Sequence, residues 1–404
     1  MSTAAPPVQA MKTPDVEALY REVVLPTYAQ VPLVIVRGKG SWVWDLHGKR
    51  YLDFFPGWGV SGLGHCHPKV ASAIRHQAGK LLHVPNNYLN VKQARLAREI
   101  VRHSFPGKVF FCNSGAEAVE AAIKAARRWG SAQGRYEIIT MERSFHGRTL
   151  AAMTATGQPK FHAGFAPLPE GFKYVPWNDF EALRRAVGEK TVAVMLEPIQ
   201  GEGGIRVADA QYLAKVRALA DERKLALIFD EVQSGMGRTG RWFAFQHAGV
   251  EPDMMTLAKS LGGGVPIGAL VVHRKLGDVL TPGTHASTFG GNPLVCAAAL
   301  AVFDVIQKQK LLTKVARLGE VLRAELEALK SRHPSLIREV RGVGFMVGIE
   351  LTRPSKPVVD RARELGLLLN ATQETVIRFM PALTAGKKEI DLALRILERA
   401  LDAA

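Results

Sequence analysis

Asp230 and Lys259 are the residues of this chain whose type and setting most directly suggest chemistry. Asp230 closes the apolar run 225–229, and Lys259 stands just past a second run, Met254–Leu257, shortly before three successive glycines at 262–264. Both runs are too short for helices and read as buried parallel strands. Ligands in open α/β sheets bind at the carboxyl ends of strands, so both charges should point into one crevice. A lysine beside glycines, facing an acid in apolar surroundings, suits an aldehyde cofactor such as pyridoxal phosphate. The lysine would form the Schiff base and the acid would hold the ring nitrogen protonated. A carboxylate about 4 Å from a cationic nitrogen, at an effective dielectric of about 20, contributes roughly 4 kcal/mol, or about three pK units. A solvated lysine and a carboxylate capping a helix or turn also fit the pair, which alone does not choose between the readings.

Other segments place polar residues after predicted strands. The strand 109–111 runs into Ser114, Gly115 and Ala116 and then an alanine-rich helix over 117–129. Free N–H groups and a positive dipole end at such a helix start suit a phosphate, though many helices begin this way. The strand 136–141 leads to Phe145, His146, Gly147 and Arg148. Here an aromatic could stack on a ring and an arginine could grip a carboxylate with two donors, although a solvated loop arginine fits too. Thr191–Leu196 ends in the glycine-rich loop 197–204, with Glu197 and Glu202 on it. Acids on such a loop are usually just solvated. The loop 281–292 holds hydroxyls, among them those of Ser287 and Thr288, that could reach a phosphate.

Two patterns mislead. Gly235-Met236-Gly237-Arg238-Thr239-Gly240 matches the dinucleotide fingerprint letter for letter. That fingerprint needs its glycines to open a helix, with an acid about 20 residues on; here an aromatic run follows, and Glu251 and Asp253 come too early. Nicotinamide binding is therefore rejected. His65, Cys66 and His67 resemble metal ligands, but three adjacent residues seldom converge on one ion, so no metal is expected.

The composition describes a globular protein of 404 residues, 47% hydrophobic and 22% charged, long enough for a large domain and a smaller one. The net charge of +16 raises nucleic acid or an acidic partner, yet basic residues are dispersed among acids, so no nucleic-acid role is expected. No apolar run approaches the roughly 20 residues of a membrane span. The start, residues 1–14, lacks the basic lead and apolar core of a signal peptide and reads as a loose tail. Three cysteines point to a reducing cytosol, hence a cytoplasmic protein.

The predicted elements around these residues begin with strands at 34–36, 42–46 and 51–54. Helices follow at 68–82 and 92–103, and 154–176 is irregular. A helix over 209–224, the strand Gly268–His273 and a helix opened by Pro293 come next. A helix over 311–329 marks a change of domain. Strands at 337–340, 345–351 and 376–380 then interleave with helices at 357–365 and 388–401.

Taken together, the stretches LDFFPGWGVSGLGHCHP, NSGAEAVEAAIKAAR, FHGRT, EPIQGEGG, FDEVQSGMGRTG, LAKSLGGGVPIGA, STFGGNP and IRFMPAL make the chain resemble the class III (subgroup II) aminotransferases of fold type I. The likeness runs from about 32 to 396, and is greatest to the branch acting on N-acetylornithine. It implies an α/β fold: a large domain with a mostly parallel seven-stranded sheet flanked by helices, plus a smaller α+β domain. The division expected is an N-terminal segment 1–65, a large domain 66–305 and a small domain 306–404. It implies pyridoxal phosphate as cofactor, with Lys259 as Schiff-base lysine and proton shuttle and Asp230 against the pyridinium nitrogen. Val232 and Phe145 would cover the ring faces, His146 would belong to the same cofactor site, and Gln233 would lie beside the ring hydroxyl. Backbone groups of Ser114, Gly115 and Ala116 would hold the phosphate. Thr288 would reach it from a second subunit, which implies a homodimer. Arg148 would grip the α-carboxylate of N-acetylornithine. Arg378 would grip that of glutamate or 2-oxoglutarate, and Glu197 would mask Arg378 in the other half-reaction. Ser287 and Tyr28 would line the substrate side.

The activity so implied moves the δ-amine of N-acetylornithine to 2-oxoglutarate, a step of arginine biosynthesis. Ornithine, N-succinylornithine, 4-aminobutyrate or a carrier-bound lysine precursor are the alternative donors. The chain departs from the family at Ala116 and Val119, where Thr and Asn are common. The phosphate loop loses one hydroxyl, and its backbone donors should keep cofactor binding intact.

Overall fold

The computed structural model describes residues 12–403. Its centre is a seven-stranded sheet in the order Gly107–Cys112, Gly268–His273, Met254–Leu257, Ala226–Asp230, Thr191–Leu196, Glu137–Met141, Phe172–Val175. Gly268–His273 is antiparallel to both its neighbours, and the other pairs are parallel. Strands Thr191–Leu196, Ala226–Asp230 and Met254–Leu257 are buried at every position, which is why they read as unbroken apolar runs. Alternate side chains serve the two faces. Ile228, Met254 and Leu270 pack with the alanine-rich helix Gly115–Gly130. Leu227, Phe229 and Met255 join the larger core with residues of the helices Ala210–Arg223 and Pro293–Lys308.

A second, antiparallel sheet orders Ile337–Val343, Met346–Leu351, Val376–Phe379 and Asn370–Thr372, and the helix Leu311–Arg332 lies against its first strand. A third sheet holds Ile35–Lys39, Trp42–Asp45 and Arg50–Asp53 and is completed by Leu367–Leu368, so both ends of the chain share it.

The expected tail at 1–14 falls largely outside the described residues, and where description begins a helix, Thr13–Val23, takes its place. None of its residues is buried, so no apolar stripe announced it. The irregular stretch 154–176 contains the edge strand Phe172–Val175, whose half-exposed side chains gave little signal. The helix Phe180–Ala186 has seven residues, too few to establish a period.

The loop that mimics a dinucleotide site has a packing role instead. A Cβ at Gly240 would lie 2.9 Å from Ala316 Cα of the helix Leu311–Arg332, and one at Gly344 would lie 2.6 Å from the Thr239 carbonyl carbon. Phe345 N–H donates to Arg238 O at 2.9 Å, and the buried Arg238 guanidinium donates to Pro381 O. Backbone therefore meets backbone where the second sheet crosses the loop of the first. Gly344 has φ +59 and Gly134 has φ +66, both left-handed, but nothing lies within 4 Å of a Cβ at Gly134. Gly134→Ala should cost about 1 kcal/mol of backbone strain, and Gly344→Ala about 2–4 kcal/mol, since overpacking adds to strain. Thermal unfolding of the two variants checks this; equal shifts would remove the packing argument.

Candidate active site

The carboxyl ends of the parallel strands open into a cavity of about 470 Å³ whose wall includes Lys259, Asp230, Glu197, Glu202, Phe145 and Val232. Asp230 ends its strand and is 4% exposed. Its carboxylate is fixed by His146 Nδ1 at 2.7 Å, Thr256 Oγ1 at 3.0 Å and Val232 N–H at 3.1 Å. Three partners hold it rigidly and leave acceptor capacity toward the cavity. The Nε2 of His146 is buried and has no protein partner.

Lys259 follows the strand Met254–Leu257 with φ +46, a left-handed conformation that costs a non-glycine residue about 1 kcal/mol or more. Burial lowers its pKa, with Arg378 acting in the same sense, while Glu202, Asp230 and Glu197 oppose the shift. Glu197 accepts Phe145 N–H at 3.0 Å and Gly201 N–H at 3.1 Å. Burial pushes its carboxyl up to about 7 and nearby Asp230 adds to this, against the pull of His146 and the two N–H donors.

At the start of the helix Gly115–Gly130 the Ser114 hydroxyl accepts Glu117 N–H, and the Glu117 carboxylate takes the N–H groups of Asn113 and Ser114. The backbone donor expected of Ser114 is therefore occupied. Gly115 and Ala116 keep theirs, as first-turn residues without intrahelical partners, and the Ser114 hydroxyl hydrogen remains available. Gly115 must lack a side chain, because a Cβ there would lie 2.8 Å from Val232 Cγ1. Gln233 lines the cavity with its buried Oε1 unpartnered.

Arg148 also lines the cavity. Its guanidinium sits 3.8 Å from the ring centre of Phe161 and 5.5 Å from that of Phe145, with no carboxylate partner among the described residues. Arg378 differs: it is fully buried, donates to Glu202 Oε1 at 2.7 Å and to Asn370 Oδ1, and lies 4.6 Å from the Phe55 ring centre. Glu202, not Glu197, is thus the acid against Arg378. Both acids follow one strand in a glycine-rich loop, and nothing in their spacing distinguished them. Asn370 was missed for a similar reason; it faces Arg378 only through strand register.

Besides Arg378, which lies behind the wall residue Glu202, three expected residues stand outside this cavity. Tyr28 is 69% exposed and packs beside Trp58, with ring centres 6.2 Å apart. Ser287 accepts from Asn113 Nδ2 at 3.3 Å but faces, with Thr288, a separate hollow bordered by Glu117 and Glu120. Among the described residues no cluster of metal-ligating side chains occurs.

The family profile of class-III aminotransferases matches residues 24–401. The chain belongs to that family. It is 51% identical over 387 residues to the acetylornithine aminotransferase of Methanocaldococcus jannaschii, covering 95% of this chain and 96% of that one. Among solved structures, the ornithine aminotransferase of Toxoplasma gondii superimposes with TM-score 0.93 at 35% identity, covering 97% and 96% of the two chains. The acetylornithine aminotransferase of Elizabethkingia anophelis gives 0.87 at 32%, covering 98% and 100%.

This class-III aminotransferase is a pyridoxal-phosphate enzyme, and its cavity fits that group. The unpartnered Gln233 oxygen, the free N–H groups at Gly115 and Ala116, and the anchored Asp230 suit a hydroxyl, a phosphate and a ring nitrogen.

In the cofactor-free aminotransferase, Glu197 should make stability depend on pH. Its folded pKa of about 7 exceeds the ordinary 4.5, so the folded state holds the proton more tightly. The resulting stabilisation is complete below pH 4.5 and lost as pH rises through 7. Glu197→Gln removes the titration, so unfolding free energy of the variant relative to the parent should grow by about 3 kcal/mol over that window. Denaturant melts at several pH values test it, and parallel curves would refute the shift.

Proposed function

We propose that this aminotransferase moves the distal amine of N-acetylornithine to 2-oxoglutarate. One observation carries the reading: an open arginine, Arg148, lines the cavity, while a closed one, Arg378, lies behind the wall residue Glu202. A donor with one carboxylate needs only the open arginine. Its amine then falls near Lys259 while Glu202 keeps Arg378 neutralised. A second carboxylate, as in glutamate or 2-oxoglutarate, can compete with Glu202 for the guanidinium. The names carried by the relatives support the same donor.

Bound pyridoxal phosphate supplies an electron sink for loss of a carbon-bound proton. Asp230 would pair with its ring nitrogen, and Phe145 and Val232 would cover its faces. The phosphate would take Gly115 N–H, Ala116 N–H and the Ser114 hydroxyl, and Gln233 would meet the ring hydroxyl. Lys259, with its pKa lowered by burial, gives up its proton more readily than an exposed lysine and can hold and return one at the cofactor. His146 locks Asp230 in place, and Glu197 holds the Phe145 backbone.

We further propose a homodimer. Thr288 is exposed beside Phe289, Leu89 and Val91, which are 59%, 103% and 74% exposed. Asn86 joins these segments by donating to the carbonyls of Ser287 and Gly290. A second copy covering this face would bring Thr288 to a neighbouring phosphate. A cytoplasmic setting suits the buried free thiols Cys112 and Cys296. The division at 66 and 306 is proposed as the hinge frame that lets Glu202 and Arg378 part.

Absorbance titration of the yellow protein, without keto acid, tests the donor. N-acetylornithine should bleach it at far lower concentration than ornithine or 4-aminobutyrate; preferential bleaching by either of those would replace the assignment. Lys259→Ala should fold, bind the cofactor and lose multiple turnover, and retained turnover would overturn the lysine's role.

A further inference from the structure

We infer that Glu120, which does not itself line the cavity, is a positioning residue for Arg148 and so for the donor's carboxylate. The inference rests on the reading of Arg148 as the carboxylate grip. The segment Leu150–Ala155 is a short helix whose N-cap residue, Thr149, makes no side-chain cap of its own. Glu120, from the helix Gly115–Gly130, replaces the missing cap. Its Oε1 accepts Thr149 Oγ1 at 2.5 Å and the N–H groups of Ala151 and Ala152 at 3.1 Å each. Those three donors lie within the four residues after Arg148.

The residue before Arg148 is pinned from the same helix. Gly147 has φ +139, and a Cβ there would lie 2.8 Å from Ala116 Cβ and 3.0 Å from Ala152 Cβ. Arg148 therefore leaves a turn held on both sides by the helix that starts at the phosphate-binding end. Among the described residues its guanidinium has only aromatic rings to guide it, Phe161 and Phe145. Stacking of this kind contributes about 0.5–2 kcal/mol and fixes the plane of the fork poorly by itself. A displacement of about 1 Å can weaken a two-pronged carboxylate contact severely, so the backbone anchor sets the aim. Charge works in the same direction. A carboxylate at a helix start is favourable, and Glu120 is spent on three donors rather than turned to neutralise Arg148.

Holoenzyme of Glu120→Ala, Glu120→Gln, Thr149→Val and Arg148→Ala tests this by three readouts. The first is KM for N-acetylornithine, the second calorimetric binding of 2-acetamidopentanoate, which keeps the carboxylate and lacks the distal amine. The third is the rate of bleaching by n-butylamine, which has no carboxylate. Glu120→Ala should weaken the first two about tenfold with kcat and the butylamine rate within about twofold, and Glu120→Gln, which keeps the acceptor, should recover most of the loss. Thr149→Val, which removes one donor and leaves the carboxylate, should give about threefold. It carries the test if Glu120→Ala does not fold. If Arg148→Ala leaves both carboxylate ligands unaffected, the grip itself is misassigned and the inference falls with it. If Arg148→Ala weakens them while the Glu120 and Thr149 variants do not, the grip stands and the anchor is wrong. Equal loss toward butylamine and the carboxylates would mark a merely structural role and overturn it as well.

Discussion

The structure depends on keeping several ionisable groups out of water at one end of a sheet. Lys259, Asp230, Glu197 and His146 stand at or just past the ends of neighbouring strands, and each alters the cost of the others. An isolated buried charge would cost several kcal/mol, so the arrangement survives only because partners are supplied from the backbone and from adjacent strands. Asp230 takes a hydroxyl, an N–H and an imidazole. Glu231 beside it accepts Ser234 and Phe245 and is pushed by burial up to about 7. The lysine amine is only partly compensated: Glu202, Asp230 and Glu197 offset some of the cost of its burial, and its pKa stays lowered.

The same constraint explains the rigid frame. The parallel ladder pairs Asp230 with Thr256, three residues before Lys259, so Asp230 and Lys259 keep their relative height. The second sheet brings Arg378 behind the cavity wall, against Glu202, and the crossings at Gly240, Gly319 and Gly344 allow backbone contact where a side chain would push the layers apart. Domain packing and charge pairing thus converge on one ion pair, Arg378 with Glu202.

Much of this was legible in the residues because apolar runs bounded by polar loops are unambiguous. Thr191–Leu196, Met254–Leu257 and Gly268–His273 coincide with their predicted bounds. Thr13–Val23 and Phe172–Val175 escaped because exposed or half-exposed elements carry no strong period. In the site, the wall residues Asp230, Lys259, Phe145 and Arg148 were each marked by a strand end. Which acid meets Arg378 was not, since Glu197 and Glu202 differ only in how a glycine-rich loop turns. Nor could the residues say that Glu117 would occupy the Ser114 N–H.

The antiparallel strand Gly268–His273 is inserted between Gly107–Cys112 and Met254–Leu257. Its partner at 107–112 is therefore made long before it and cannot join the sheet without it. During synthesis that earlier strand must wait, with the edge it will offer still unpaired, until some 160 further residues have emerged, a hazard for edge-to-edge association. The helix Gly115–Gly130 packs on Ile228 and Met254 as well as on Leu270, so its burial is complete only when that strand arrives. On this topology the helix start at Gly115 and the segment that carries Lys259 are brought together in one late closure of the sheet, so a nascent chain gains its cavity all at once rather than by degrees.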